Sequence, residues 1–138
     1  MNISKEYPTI IYQKGNSHEV SLLIIMVNFT PYTFEKIHLS KYDHCSFDDF
    51  VDSGFVHSDF KILLPDKYLI IDSLSSFDLE FICEYSVTFK QKGDAPIINL
   101  EFELPKYARF EVENNKYYFK EIDLSGYIMD TKIKSQSI

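Results

Sequence analysis

The stretch FDLEFICEYSVTF, residues 77–89, alternates without a break. Phe77, Leu79, Phe81, Cys83, Tyr85, Val87 and Phe89 fall on one side. Asp78, Glu80, Ile82, Glu84, Ser86 and Thr88 fall on the other. Successive strand side chains face opposite ways, so this spacing predicts a strand with one buried and one wet face. The pattern returns at 98–104, where Ile98, Leu100, Phe102 and Leu104 oppose Asn99, Glu101 and Glu103. It returns again at 108–113, where Ala108, Phe110 and Val112 oppose Arg109, Glu111 and Glu113. Three such strands in one sheet would set seven carboxylates and one arginine on its solvent side.

Working outward, 18–29 is apolar on both faces, which marks a central strand covered on both sides. Pro8 cannot donate to a ladder, so 7–12 reads as an edge strand. A short strand is expected at 33–39. Pro65, Asp66 and Lys67 separate two further apolar runs, 60–64 and 68–72, as a hairpin or sharp bend. Asn114 and Asn115 suit a two-residue hairpin turn. A last strand is expected at 124–130, with Gly126 as a bulge. Ser46 with Asp49 forms a capping-box pattern, and Phe47, Phe50 and Val51 follow at helical spacing. That gives one short helix near 47–52, stopped by Gly54.

The chain thus reads as all-β: an antiparallel β-sandwich, or open barrel, of seven to nine short strands. Turns recur about every ten residues, as such folds require. The 138 residues form one domain over 1–131, followed by a flexible polar tail at 132–138. The expected core is Val20, Leu22, Ile24, Met26, Phe77, Leu79, Phe81, Cys83, Tyr85, Leu100, Phe102, Phe110, Val112 and Phe119.

The net charge is −7, which argues against nucleic-acid partners and anionic membranes, both of which attract basic surfaces. No signal peptide is evident at Met1–Pro8, and the apolar run at 20–27 is too short to span a bilayer as a helix. Cys45 and Cys83 give no disulfide framework, so a cytoplasmic, reducing location is expected. No glycine-rich phosphate loop and no βαβ pattern appear, so nucleotide-binding architectures are excluded.

The segment 38–59 holds most of the chemistry-bearing side chains: His38, Asp43, His44, Cys45, Asp48, Asp49, Asp52, His57 and Asp59. Zinc accepts these ligand types, but their spacing matches no finger or helical site. Cys45 precedes the expected helix, where a thiolate is favoured, and four histidines are available as a base, yet no local signature accompanies it. Paired carboxylates on a strand face also suit glycosidase chemistry, which needs aromatic subsites in a cleft, whereas the open face is mostly charged, with Tyr118 one of few aromatics on it. No enzyme activity and no cofactor are therefore expected.

The function expected is binding. A small acidic protein would neutralise a basic partner, most plausibly as an immunity protein or inhibitor of a toxin or nuclease. The residues proposed for contact are Asp78, Glu80, Glu84, Glu101, Glu103, Glu111 and Glu113, with Tyr118 as an aromatic anchor. Asp48, Asp49 and Asp52 form the alternative docking surface. The second reading is a structural or assembly β-sandwich using its edge strands. The third is a zinc-dependent or thiol enzyme using 38–59.

Overall fold

The computed structural model describes residues 3–44, 55–104 and 116–137. The architecture is an antiparallel β-sandwich of two five-stranded sheets. The strands are β1 (Thr9–Lys14), β2 (Leu22–Val27), β3 (Phe34–His44), β4 (Phe55–Leu63), β5 (Tyr68–Leu74), β6 (Ile82–Gln91), β7 (Ile97–Leu104), β8 (Tyr117–Phe119), β9 (Leu124–Ile128) and β10 (Lys132–Ser137). Sheet 1 runs β5-β2-β1-β9-β8, and sheet 2 runs β10-β7-β6-β3-β4. The expected helix at 47–52, the third acidic strand at 108–113 and the turn at Asn114 and Asn115 lie outside the described residues.

Why these sequences become these strands follows from side-chain parity. In β2 every position is apolar, and both faces are used. Leu22, Ile24 and Met26 enter the space between the sheets, while Ile25 and Val27 join a second cluster on the far side of sheet 1. That second cluster is closed by Ile11, Phe119 and the partly buried Phe29 and Ile122. In sheet 2, Cys83, Tyr85, Val87 and Phe89 from β6 and Leu100, Phe102 and Leu104 from β7 point inward. Aromatic contacts lock this layer: Phe34 meets Phe89 edge-on at 5.3 Å, and Tyr85 stacks on Phe102 at 4.8 Å.

Several expectations are corrected. The strand expected over 77–89 begins only at Ile82, because Asp78–Glu80 forms a 3-10 turn. The Asp78 carboxylate accepts hydrogen bonds from Ser75 N (2.8 Å) and Ser75 Oγ (3.0 Å), which holds the turn. Phe77 consequently lies on the surface, 63% exposed, packed edge-on against Phe81, while Leu79 packs partly buried against the core. Val20 is half-buried, ahead of β2. β1 is an interior strand, paired with β2 on one side and β9 on the other. Pro8 sits just before the ladder, where its missing N–H costs nothing.

β3 is longer than the strand expected at 33–39 and carries a bulge at Lys36, whose φ is 55°. One extra residue reverses the parity, so Phe34 and Ile37 both face inward. β4 and β5 belong to different sheets, so 64–67 is a sharp bend between layers. Asn28 secures that bend: its backbone N–H donates to Lys67 O and its carbonyl accepts from Asp66 N, both at 2.9 Å. Its buried side chain accepts from Thr30 N and Oγ1. Residues 132–137, expected as a frayed tail, form β10 along the edge of β7. Lys132, Ile133 and Lys134 are all exposed, so β10 pairs with β7 through its backbone without an alternating apolar face to announce it.

Candidate functional site

The outer face of sheet 2 is built by the residues of β6, β7, β3 and β4 that alternate with the core. Register places them in rows. Asp59, His38, Thr88 and Asn99 form one row; His57, Ser40, Ser86, Glu101 and Lys132 form the next. A third row runs from Tyr42 through Glu84 to Glu103. Glu84 and Glu103 are directly opposite each other, and Glu101 lies one row away. Lys134 Nζ stands 3.7 Å from Glu101. The three glutamates, with Ser40, Tyr42 and Lys132, line a shallow open groove of about 920 Å³.

Of the side chains proposed from sequence, the structure brings Glu84, Glu101 and Glu103 together on this face. Asp78 is not among them, since its carboxylate is engaged in the 3-10 turn. Glu80 belongs to that same turn and is not on a strand. Tyr118 is on β8, in the opposite sheet, so it does not stand beside the acidic rows. Its hydroxyl donates to Asp123 Oδ1 at 2.7 Å, a bond that pushes the phenol above its ordinary 10.0. Glu111, Glu113, Asp48, Asp49, Asp52 and Cys45 lie outside the described residues. Sequence reading missed Tyr42, Ser40 and Lys132. The first two become visible only once the bulge at Lys36 is taken into account.

The members of the 38–59 segment divide between two places. His38, His57 and Asp59 meet on the outer face, across the β3–β4 ladder. His38 Nδ1 lies 2.6 Å from Asp59 Oδ1, and His38 Nε2 lies 3.1 Å from His57 Nδ1. Ser40 Oγ is 3.2 Å from His57 Nδ1. Asp43 turns the other way, toward the interior. There Lys41 Nζ sits 3.0 Å from Asp72 Oδ2 and 3.7 Å from Asp43 Oδ2. Tyr85 donates to Asp72 Oδ2 at 2.6 Å.

This interior cluster ties β3 and β6 of sheet 2 to β5 of sheet 1. Burial, then Asp72, pushes the Tyr85 phenol far up. Burial, then Asp43, does the same to the Cys83 thiol, which is therefore an inert core group. For Lys41, burial favours the neutral amine, but Asp72 and Asp43 together outweigh it and hold the ammonium above its ordinary 10.5. A buried lysine so held is a structural cation, not a nucleophile.

Among the described residues, no group of three or more His, Cys, Asp or Glu side chains is arranged to hold a metal ion. No described helix is long and apolar enough to cross a membrane. No family model, curated protein or solved structure matches this chain.

Proposed function

We propose that this protein is a cytoplasmic binding protein that docks on a basic protein through the outer face of sheet 2. An immunity protein or inhibitor facing a toxin or nuclease is the kind of activity meant. The observation that supports it is the placement of Glu84 directly opposite Glu103, with Glu101 beside them in an open groove. Like charges across a strand pair oppose folding. The facing pair Glu84 and Glu103 would therefore gain from a cation supplied by a partner, and Glu101, 3.7 Å from Lys134, extends the acidic surface beside them. Lysine or arginine side chains would seat between these carboxylates, with Tyr42 as the neighbouring aromatic. Strand spacing of about 4.8 Å makes a five-stranded face about 19 Å wide. Such a face is close to what one side of a standard interface, about 800 Å², requires.

The test is charge reversal. Glu84→Lys, Glu101→Lys and Glu103→Lys combined should slow association with a partner captured from the native host by about tenfold or more at low salt, the scale of electrostatic steering. The fold should stay intact by circular dichroism. Undiminished binding by the triple variant at low salt would show the face to be solubilising charge and end this reading.

A second reading, assembly through strand edges, draws on the side of the sandwich where β4 and β5 are the end strands of their sheets. Val56, Ile62, Tyr68 and Ile70 are exposed there. An unprotected edge with apolar side chains is a template for another strand. Light scattering that reports self-association, abolished by Ile62→Lys with Ile70→Lys and untouched by the glutamate reversals, would favour this reading over the first.

A further inference from the structure

Two histidines tie edge strand β4 to its neighbour. β4 ends sheet 2 and pairs with β3 alone. Register sets His38 opposite Asp59 and Ser40 opposite His57. Asp59 offers only acceptors when ionised, so His38 Nδ1 carries a proton and donates to Asp59 Oδ1 at 2.6 Å. Nε2 of the neutral His38 ring is then an acceptor. His57 Nδ1, 3.1 Å away, is the donor to it, and Ser40 Oγ lies 3.2 Å from the same nitrogen. The ring centroids stand 5.2 Å apart, so the two nitrogens face each other between the rings. A chain of hydrogen bonds thus runs from Asp59 through His38 to His57 and crosses the ladder twice.

Histidine is the side chain whose charge ordinarily changes between about pH 5 and 8. Counting protons shows how this chain answers acid. One added proton is accommodated: with His57 carrying it on Nε2, the bond from Nδ1 to His38 becomes charge-assisted and stronger. A second has only His38 Nε2 to occupy. That nitrogen then becomes a donor and faces the donor on His57 across 3.1 Å. Two imidazolium rings are left to share one carboxylate, Asp59, and must part. Thr88 and Ser86 of β6, beside His38 and Ser40, carry no charge to relieve them. Glu101 shares the row of Ser40 but lies beyond Ser86, on β7, 3.7 Å from Lys134. Glu84 is a row away, opposite Tyr42, and Glu35 of β3 is paired with Lys90 at 2.9 Å. Lys36 and Lys61, on the same two strands, add further positive charge.

We infer that His38 and His57 form an acid-sensitive latch on β4, closed while the pair holds at most one added proton and opened by the second. An end strand held from one side can loosen locally while the core stays folded. The latch uses none of Glu84, Glu101 and Glu103, so it stands or falls separately from the acidic face.

The test is hydrogen exchange of the purified chain, read by mass spectrometry from about pH 7.5 down to about pH 5, the range in which histidine changes charge. Protection factors remove the intrinsic pH dependence of exchange, and the interior strand β2 serves as the internal reference. In the parent, β4 should keep its protection relative to β2 near neutrality and lose about fivefold at the acid end, the factor that goes with one net hydrogen bond. His57→Gln supplies an amide that donates to neutral His38 and, turned over, accepts from charged His38, but it cannot become the second cation. In that variant β4 should follow β2 throughout. His18→Gln, on the β1–β2 connection, should leave the parent response in place. A parent in which β4 follows β2 to the acid end overturns the latch, whether or not the variants fold. So does an acid loss of the same size in His57→Gln with unchanged circular dichroism.

Discussion

Replacing Lys41 with methionine removes the only cation in the described interior cluster while nearly preserving its volume. The ammonium stands 3.0 Å from Asp72 Oδ2 and 3.7 Å from Asp43 Oδ2. At an effective dielectric near 20, such contacts are worth roughly 5.5 and 4.5 kcal/mol before desolvation is subtracted. Lys41 is only 8% exposed, so much of that gain offsets the cost of bringing the charge inside. The net loss is set by what stays behind: two carboxylates in a largely dry space without their cation. Stripping one partner from a buried pair costs about 3–5 kcal/mol. For a chain of this size that lowers Tm by about 10–20 °C. Urea unfolding of parent and variant, with equal m values, measures the difference directly. Adding Asp72→Asn to Lys41→Met should restore part of the loss, because one stranded charge then disappears. A single variant within about 1 kcal/mol of the parent, the scale of an exposed pair, would refute the reasoning.

Two further outcomes follow from the packing. Cys83, Tyr85 and Lys41 all hold their protons more tightly folded than unfolded. Their contribution is fully present below the ordinary values of 9.0, 10.0 and 10.5 and is lost as pH rises beyond them. Urea midpoints should therefore hold steady from pH 7 to about 8.5 and fall above about pH 9, with Cys83→Ala moving the onset up by about one unit; midpoints flat to about pH 11 would contradict this. Gly126→Ala would put a Cβ 2.8 Å from Tyr12 O and 3.1 Å from Ile11 Cδ1. The first contact is backbone, so β1 and β9 must part, and a loss of about 1–3 kcal/mol is expected in the same unfolding assay.

The fold class was legible because alternation is a direct record of which face is buried. At Cys83, Tyr85, Val87 and Phe89 the apolar residues are the buried ones. The double-faced β2 likewise announced its interior position. What misled was alternation that continued past the end of a strand. Phe77, Leu79 and Phe81 keep the period of two through a 3-10 turn, and nothing in the spacing separates the cases. The decisive group is Ser75 with Asp78, a local capping pair that ends the extended backbone. A bulge such as that at Lys36 defeats parity in the same way, since one inserted residue exchanges the faces for everything beyond it.

The candidate site was legible to the extent that it lies on two consecutive strands joined by a hairpin. Glu84, Glu101 and Glu103 met as expected because β6 and β7 pair in sequence order. Tyr118 did not join them, because sequence cannot tell which sheet a later hairpin will extend. The pairing of His38 with His57 and Asp59 was equally hidden. It depends on β3 and β4 forming a ladder across 38–59, a span that reads as a polar loop.

The order of strands in sheet 1 has a consequence for synthesis. Ile11 pairs with Ile25 on one side and with Ile128 on the other. At about 5–20 residues per second, the ribosome needs roughly 5–21 s to travel between those two partners. Throughout that interval β1 has a single neighbour, and Ile11, Ile25 and Val27 lack Phe119, which closes over them in the finished protein. A nascent chain is therefore left with an uncovered aliphatic surface for seconds, long enough for a holdase chaperone to find it. Its demand for such help should scale with translation speed more steeply than that of a sandwich built from successive hairpins.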